Sequence, residues 1–137
     1  MHVHPTLASA GTVLRLGLHV LAASVWVGGQ LVLGGLVPTI RRESPGAVAA
    51  VARAFGRLAW PAYVLLLATG VWNVIALGAP RGAYAAVLVA KIAVAVFSGI
   101  AAWLHQRASS RLGLALWGAL SSLSAVAALG LGVWLAG

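Results

Sequence analysis

Apolar residues fill four long stretches of this chain, roughly 12–36, 58–78, 84–104 and 113–136, relieved mainly by glycine and a few polar side chains. Each is long enough to cross a bilayer as a helix, which takes about 20 residues. The intervals carry turn chemistry: Glu43-Ser44-Pro45-Gly46, then Gly78-Ala79-Pro80-Arg81-Gly82, then the polar run from His105 to Arg111. Short intervals between long helices predict an all-α, four-helix antiparallel membrane bundle forming one domain over residues 1–137. Val48, Val51, Ala52 and Phe55 recur at helical spacing with Arg53 and Arg57 off that face, which predicts an interfacial helix over 46–56. Trp60-Pro61 then opens the second span, where the missing proline N–H costs nothing.

Polar side chains inside these spans follow their own spacing. Arg15, His19, Trp26 and Gln30 are separated by four, seven and four residues and share one helical stripe, which predicts that the stripe faces protein. Ionisable groups inside a membrane are costly and by default mark a functional site. At about 1.5 Å per residue, His19 (seven residues from Thr12) and Lys91 (seven from Tyr84) both lie roughly 10 Å below the outer end of their helices. Asn73 falls in the same layer. Arg15, His19, Asn73 and Lys91, with Trp26 on the His19 stripe, are therefore the candidate site. The plainer alternatives are an interhelical hydrogen bond for His19, snorkelling for Lys91 and helix–helix contact for Asn73. Span three also carries a heptad column, Tyr84, Lys91, Ser98 and His105; span two pairs Thr69 with Asn73 one turn apart; span four offers Ser121 and Ser124. His105 is about 21 Å along the axis from Lys91 and belongs to the opposite boundary. Trp60, Trp72, Trp103, Trp117 and Trp134 lie toward span ends, as interfacial belt residues do.

Composition removes most other classes. The chain is 62% hydrophobic and 7% charged, against about 25% charged in soluble domains. The net charge of +8 is distributed by topology: Arg41, Arg42, Arg53, Arg57, Arg107 and Arg111 lie on one side, Arg81 alone in the loop on the other. The positive-inside rule makes the basic loops cytoplasmic and both termini external. Anionic lipid accounts for these arginines, and nucleic acid drops out as a partner. The first span is too long for the core of a signal peptide and is expected to be retained. With no cysteine there is neither disulfide nor thiolate metal site. The only acidic side chain, Glu43, lies in a loop, which excludes an intramembrane carboxylate relay, paired carboxylates and an oxygen-ligand site for Ca²⁺ or Mg²⁺. No catalytic residue is assigned. Imidazole chemistry is left, with a transition metal or with haem iron.

His19 through Trp26-Val27-Gly28-Gly29, then Phe55-Gly56-Arg57-Leu58-Ala59, then Ala68-Thr69-Gly70-Val71-Trp72-Asn73, then Tyr84 with Lys91 seven residues on, resembles in order and spacing the copper-resistance D (CopD) domain of bacterial inner-membrane proteins. The resemblance covers about three spans. It implies a four-helix unit of the bacterial inner membrane that binds or moves copper, supplied by a periplasmic copper donor. His19 would be the intramembrane ligand, with His2 and His4 collecting the ion outside. Cu(I) prefers sulfur ligands, and this chain has no cysteine and only Met1. The site would then be imidazole-rich, use the N-terminal amine or be shared between subunits.

His19, Trp26 and Lys91 are also similar to the HemJ type of protoporphyrinogen oxidase, a small membrane haem protein, although the surrounding arginine and histidine pattern differs and its enzymatic activity is not carried over. Read as a haem site, His19 is an axial ligand of haem b, Arg15 and Lys91 face the propionates, and Trp26 and Asn73 complete the cofactor-binding set. Iron would be five-coordinate, or take Lys91 or His4 as sixth ligand. The function would be electron transfer or haem-linked redox chemistry; an enzyme of this kind would be a haem-dependent membrane oxidoreductase. A third reading is an accessory subunit without cofactor, whose glycine-rich faces dock a second copy or a partner membrane subunit.

Overall fold

Residues 6–137 are described by a computed structural model in which every regular element is helical. Helix α1 (Ala10–Ala23) passes through a π-turn (Ser24–Gly28) directly into α2 (Gly29–Glu43), so that the first span is one rod, Ala10–Glu43. Helices α3 (Ala47–Leu77), α4 (Gly82–Arg107) and α5 (Arg111–Leu135) follow. All four rods are long and apolar enough to cross a membrane. Side-chain caps set two of the starts. Ser9 accepts from the Thr12 N–H at 3.2 Å and Ser110 from the Gly113 N–H at 3.0 Å, each supplying a partner to an otherwise orphaned first-turn donor.

Two expected boundaries move. The first span was expected to stop near residue 36, but Pro38 lies inside α2 and the helix continues to Glu43, with Arg41 and Arg42 in its last turn, where cations complement exposed carbonyls. The expected interfacial helix over 46–56 is not a separate element: Ala47–Leu77 is one helix of 31 residues, with Pro61 in its interior rather than its first turn. Alanine-rich sequence from 47 to 59 contains only Gly56 to interrupt it, which is too weak a breaker. At roughly 46 Å, α3 exceeds a hydrocarbon core of about 30 Å, so its arginine-bearing end extends into the head-group region of any bilayer it crosses.

Antiparallel pairs make up the bundle: α1 runs along α3, and α4 along α5. The pairs join at Trp26 in the π-turn, a residue only 3% exposed. Its ring lies 4.3 Å from that of Tyr63 and 5.4 Å from that of Trp60, centroid to centroid. Trp60, expected in the boundary belt, is instead half-buried in this aromatic cluster, whereas Trp72, Trp103 and Trp134 are exposed. The Trp26 indole N–H donates to Ser98 Oγ at 3.1 Å, and Ser98 Oγ donates to the Ser121 carbonyl at 2.9 Å. Ser121 Oγ reaches Gln30 Oε1 at 2.8 Å, closing a chain of bonds that touches every rod except α3, which the Tyr63 ring brings in.

The heptad column of α4 forms its seam with α5. Ser98 meets Ser121, His105 Nδ1 lies 2.8 Å from the Leu114 carbonyl, and Lys91 lies against Gly132. Across the other face of α4, Tyr63 donates to the Ala95 carbonyl at 3.0 Å, in a space that only glycine leaves free: a Cβ on Gly99 would overlap the Tyr63 ring and hydroxyl. The Gly99→Ala variant is expected to lose about 1–3 kcal/mol, the usual cost of overpacking. SDS titration of the purified protein followed by circular dichroism measures this, with Ile100→Val, at an exposed neighbour, expected to leave the midpoint in place.

Candidate functional site

Arg15 and His19 sit one turn apart on α1; Thr69 and Asn73 sit one turn apart on the antiparallel α3. Two i,i+4 pairs on opposed helices meet as two rungs. Arg15 Nη1 donates to Asn73 Oδ1, and His19 Nδ1 lies 2.9 Å from Thr69 Oγ1. All but Thr69 are half-buried; Thr69 is 3% exposed. Lys91, also half-buried, comes from the other helix pair. Its stem runs over Gly132 of α5, where a Cβ would come within 3.1 Å of Nζ. Of the expected layer, the structure brings Arg15 into contact with Asn73 and His19 into contact with Thr69 on the same two helices, and sets Lys91 on the α4–α5 seam.

The π-turn separates Trp26 from this layer. An i→i+5 turn advances the chain by a smaller angle per residue than an α-turn, so the stripe aimed at α3 by Arg15 and His19 is redirected toward α4 and α5 by Trp26 and Gln30. All four residues of the stripe face protein, as their spacing predicts. Trp26 is a core residue of the aromatic cluster, not a neighbour of His19. His2 and His4 lie outside the described residues, and His105 is engaged by the Leu114 carbonyl at the opposite end.

Thr69, noted in the sequence only as a partner of Asn73 in spacing, decides the chemistry of His19. A threonine hydroxyl has one hydrogen to give. Thr69 donates it to the Leu65 carbonyl at 2.7 Å, with Leu66 O at 3.2 Å, so toward His19 its oxygen is an acceptor. This geometry favours the tautomer with the proton on Nδ1 and a lone pair on Nε2, the arrangement in which a histidine serves as ligand or base while its other nitrogen is anchored. Gly70 leaves the Cε1 edge of the ring clear on the α3 side; a Cβ there would make only ordinary contact, at 3.6 Å. The signal for Thr69 was present in the sequence as the second i,i+4 pair, but its use depends on the register between α1 and α3.

This layer is cationic and has no carboxylate. The one acidic side chain of the protein, Glu43, ends α2 at the opposite end of the bundle. Among the described residues no three of His, Cys, Asp or Glu gather. Copper at His19 would find one imidazole and two flanking cations, and would need its further ligands from elsewhere. Haem makes different demands, namely one imidazole lone pair on a ring fixed through its other nitrogen, and cations to meet two carboxylates. His19, Lys91 and Arg15 fit that donor set.

Histidine ¹⁵N NMR of the cofactor-free protein above the imidazole pKa is expected to show His19 as the Nδ1–H tautomer. Thr69→Val removes the acceptor and should give a mixture of tautomers, whereas a wild-type ring already protonated on Nε2 would contradict the assignment. No family model, no curated protein and no solved structure matches this chain.

Proposed function

We propose that this chain is a b-type haem-binding protein of the bacterial inner membrane, with its basic loops cytoplasmic, its termini outside and His19 Nε2 as axial ligand. The observation that carries the reading is the anchored imidazole: Nδ1 held by Thr69, Nε2 without a hydrogen-bond partner among the described residues, with Arg15 and Lys91 half-buried and no acidic side chain beside them to neutralise them. Electrostatics favours this over copper. Like charges held in one half-buried layer repel more strongly than they would in water. Two flanking cations therefore penalise a bare metal cation and favour a ligand that brings carboxylates. The similarity of His19, Trp26 and Lys91 to the HemJ type supports the same choice.

Each residue has a separate task in this reading. Thr69 fixes the ring plane and the tautomer of His19, and so raises the ligand strength of Nε2. Lys91 and Arg15 would hold the carboxylates, Arg15 steadied by Asn73. Bound haem would supply one-electron redox chemistry at iron. Trp26 contributes indirectly, by locking the π-turn that sets the rotation of α1 against α2.

Detergent-purified protein from haem-supplied cells, scanned oxidised and dithionite-reduced with iron and copper quantified together, tests the proposal. A Soret band lost in His19→Ala is expected, with weaker haem retention in Lys91→Gln and Arg15→Gln and a band that persists in Trp26→Phe. A colourless protein holding copper that His19→Ala releases would overturn the haem reading in favour of copper. A wild-type protein with neither cofactor would overturn both.

A further inference from the structure

At the basic end of the bundle, away from the His19 layer, an open groove of about 430 Å³ runs between α3 and α4. Trp60, Tyr63, Val96, Gly99, Ile100 and Trp103 line it. Its polar atoms are already engaged: the Tyr63 hydroxyl donates to the Ala95 carbonyl at 3.0 Å and the Trp60 indole N–H to Gln106 Oε1 at 3.2 Å. Such a lining offers contact area without a free hydrogen bond, which suits a hydrocarbon chain and not a polar ligand.

The mouth of the groove is positively charged. Arg107 lies over the Trp103 ring, its guanidinium carbon 4.0 Å from the centroid, a cation–π contact that holds it at the rim. On the facing helix, exposed Arg57 stands one turn before Trp60. Arg57 and Arg107 occupy the same level, because each follows directly on a residue of the α3–α4 contact: the Gln106 amide lies 3.6 Å from where a Gly56 Cβ would stand. Beside the other arginines of this end, Glu43 can neutralise one charge at most. From Arg107 to Val96 the groove descends eleven residues, roughly 16 Å, about half of a hydrocarbon core of about 30 Å. That is the depth of one leaflet.

We propose that this groove is a binding site for one anionic phospholipid, its phosphate between Arg57 and Arg107 and an acyl chain laid against Trp60, Tyr63 and Trp103. A second copy of the chain is a poorer occupant. Any two-fold dimer with its axis along the membrane normal brings the same arginine-bearing end of each copy together, and like charges then meet at the rim. The proposal is independent of any cofactor at His19.

Native mass spectrometry of the detergent-solubilised full-length protein, titrated with dioleoylphosphatidylglycerol or dioleoylphosphatidylcholine, tests it. One phosphatidylglycerol is expected to be retained per chain in preference to phosphatidylcholine. At about 1 kcal/mol per basic residue near anionic lipid, the preference should fall about five-fold in Arg57→Gln or Arg107→Gln and about thirty-fold in the double variant. Arg111→Gln, at the start of α5 and outside the residues that line the groove, should leave it unchanged. Val96→Phe fills the groove from an exposed position and should remove the retained lipid while the helical circular dichroism spectrum persists. An equal fall in Arg111→Gln would reduce the effect to general surface charge and overturn the site. So would an unaltered preference in the double variant, or a Val96→Phe protein that keeps its lipid and loses a dimer peak.

Discussion

The indole N–H of Trp26 is buried where no water can reach it, and where it finds its partner fixes how this bundle is put together. A donor left unmet in such a setting costs on the order of several kcal/mol. Ser98 meets it from α4, and Ser98 in turn is tied to Ser121 on α5. Tyr63 brings α3 to the face of the same ring. The two helix pairs are held together around this side chain from the π-turn, with Tyr63 to Ala95, Trp60 to Gln106 and Gln30 to Ser121 as further bonds between them. Some cost remains in this cluster. Among the described residues Gln30 Nε2 is buried without a partner while Oε1 accepts from Ser121 and Ser122, because neighbouring hydroxyls and carbonyls are spent on one another.

Away from that junction the two ends of the bundle diverge in character. Toward the N-terminus, α1 and α3 meet through side-chain rungs and Lys91 approaches from the second pair across the small profile of Gly132. The result is a layer of nitrogen groups with excess positive charge, half-buried rather than sealed. At the other end the helices outrun a bilayer's hydrocarbon core, and arginines crowd the rims, one of them stacked on a tryptophan. Both ends therefore suit anions, but of different kinds. One has a lone pair and cations within the span, the other an apolar groove beneath cations at a surface.

The direction of a single hydroxyl bond decides which nitrogen of His19 is left available. Were Thr69 to donate to His19, Nδ1 would be the lone pair and Nε2 the donor, and the imidazole would be closed to iron from its free side. Its hydrogen goes instead to the carbonyl one turn back in its own helix, a bond that threonine forms readily in membrane helices. Local backbone geometry in α3 thereby sets the chemistry of a side chain in α1.

Much of this organisation was legible in the amino-acid order. Four apolar stretches with breakers between them specify four helices, and the arginine asymmetry distinguishes their ends, because hydrocarbon tolerates neither unpaired backbone nor unpaired charge. The spacing of Arg15, His19, Trp26 and Gln30 identified the inward stripe, and that of Tyr84, Lys91, Ser98 and His105 marked a column on α4 that the structure turns to α5. Helix ends were less legible, since alanine-rich sequence beyond a span continues as helix and membrane proline need not stop one. Tertiary structure alone decided three things: that the π-turn sends Trp26 to the core and leaves His19 with α3, that Thr69 rather than Asn73 anchors the imidazole, and that Trp60 belongs to an aromatic cluster and not to the boundary. Each depends on the register and rotation of one helix against another. Those are fixed by steric fits such as Tyr63 against Gly99, which have no periodicity for a sequence to display.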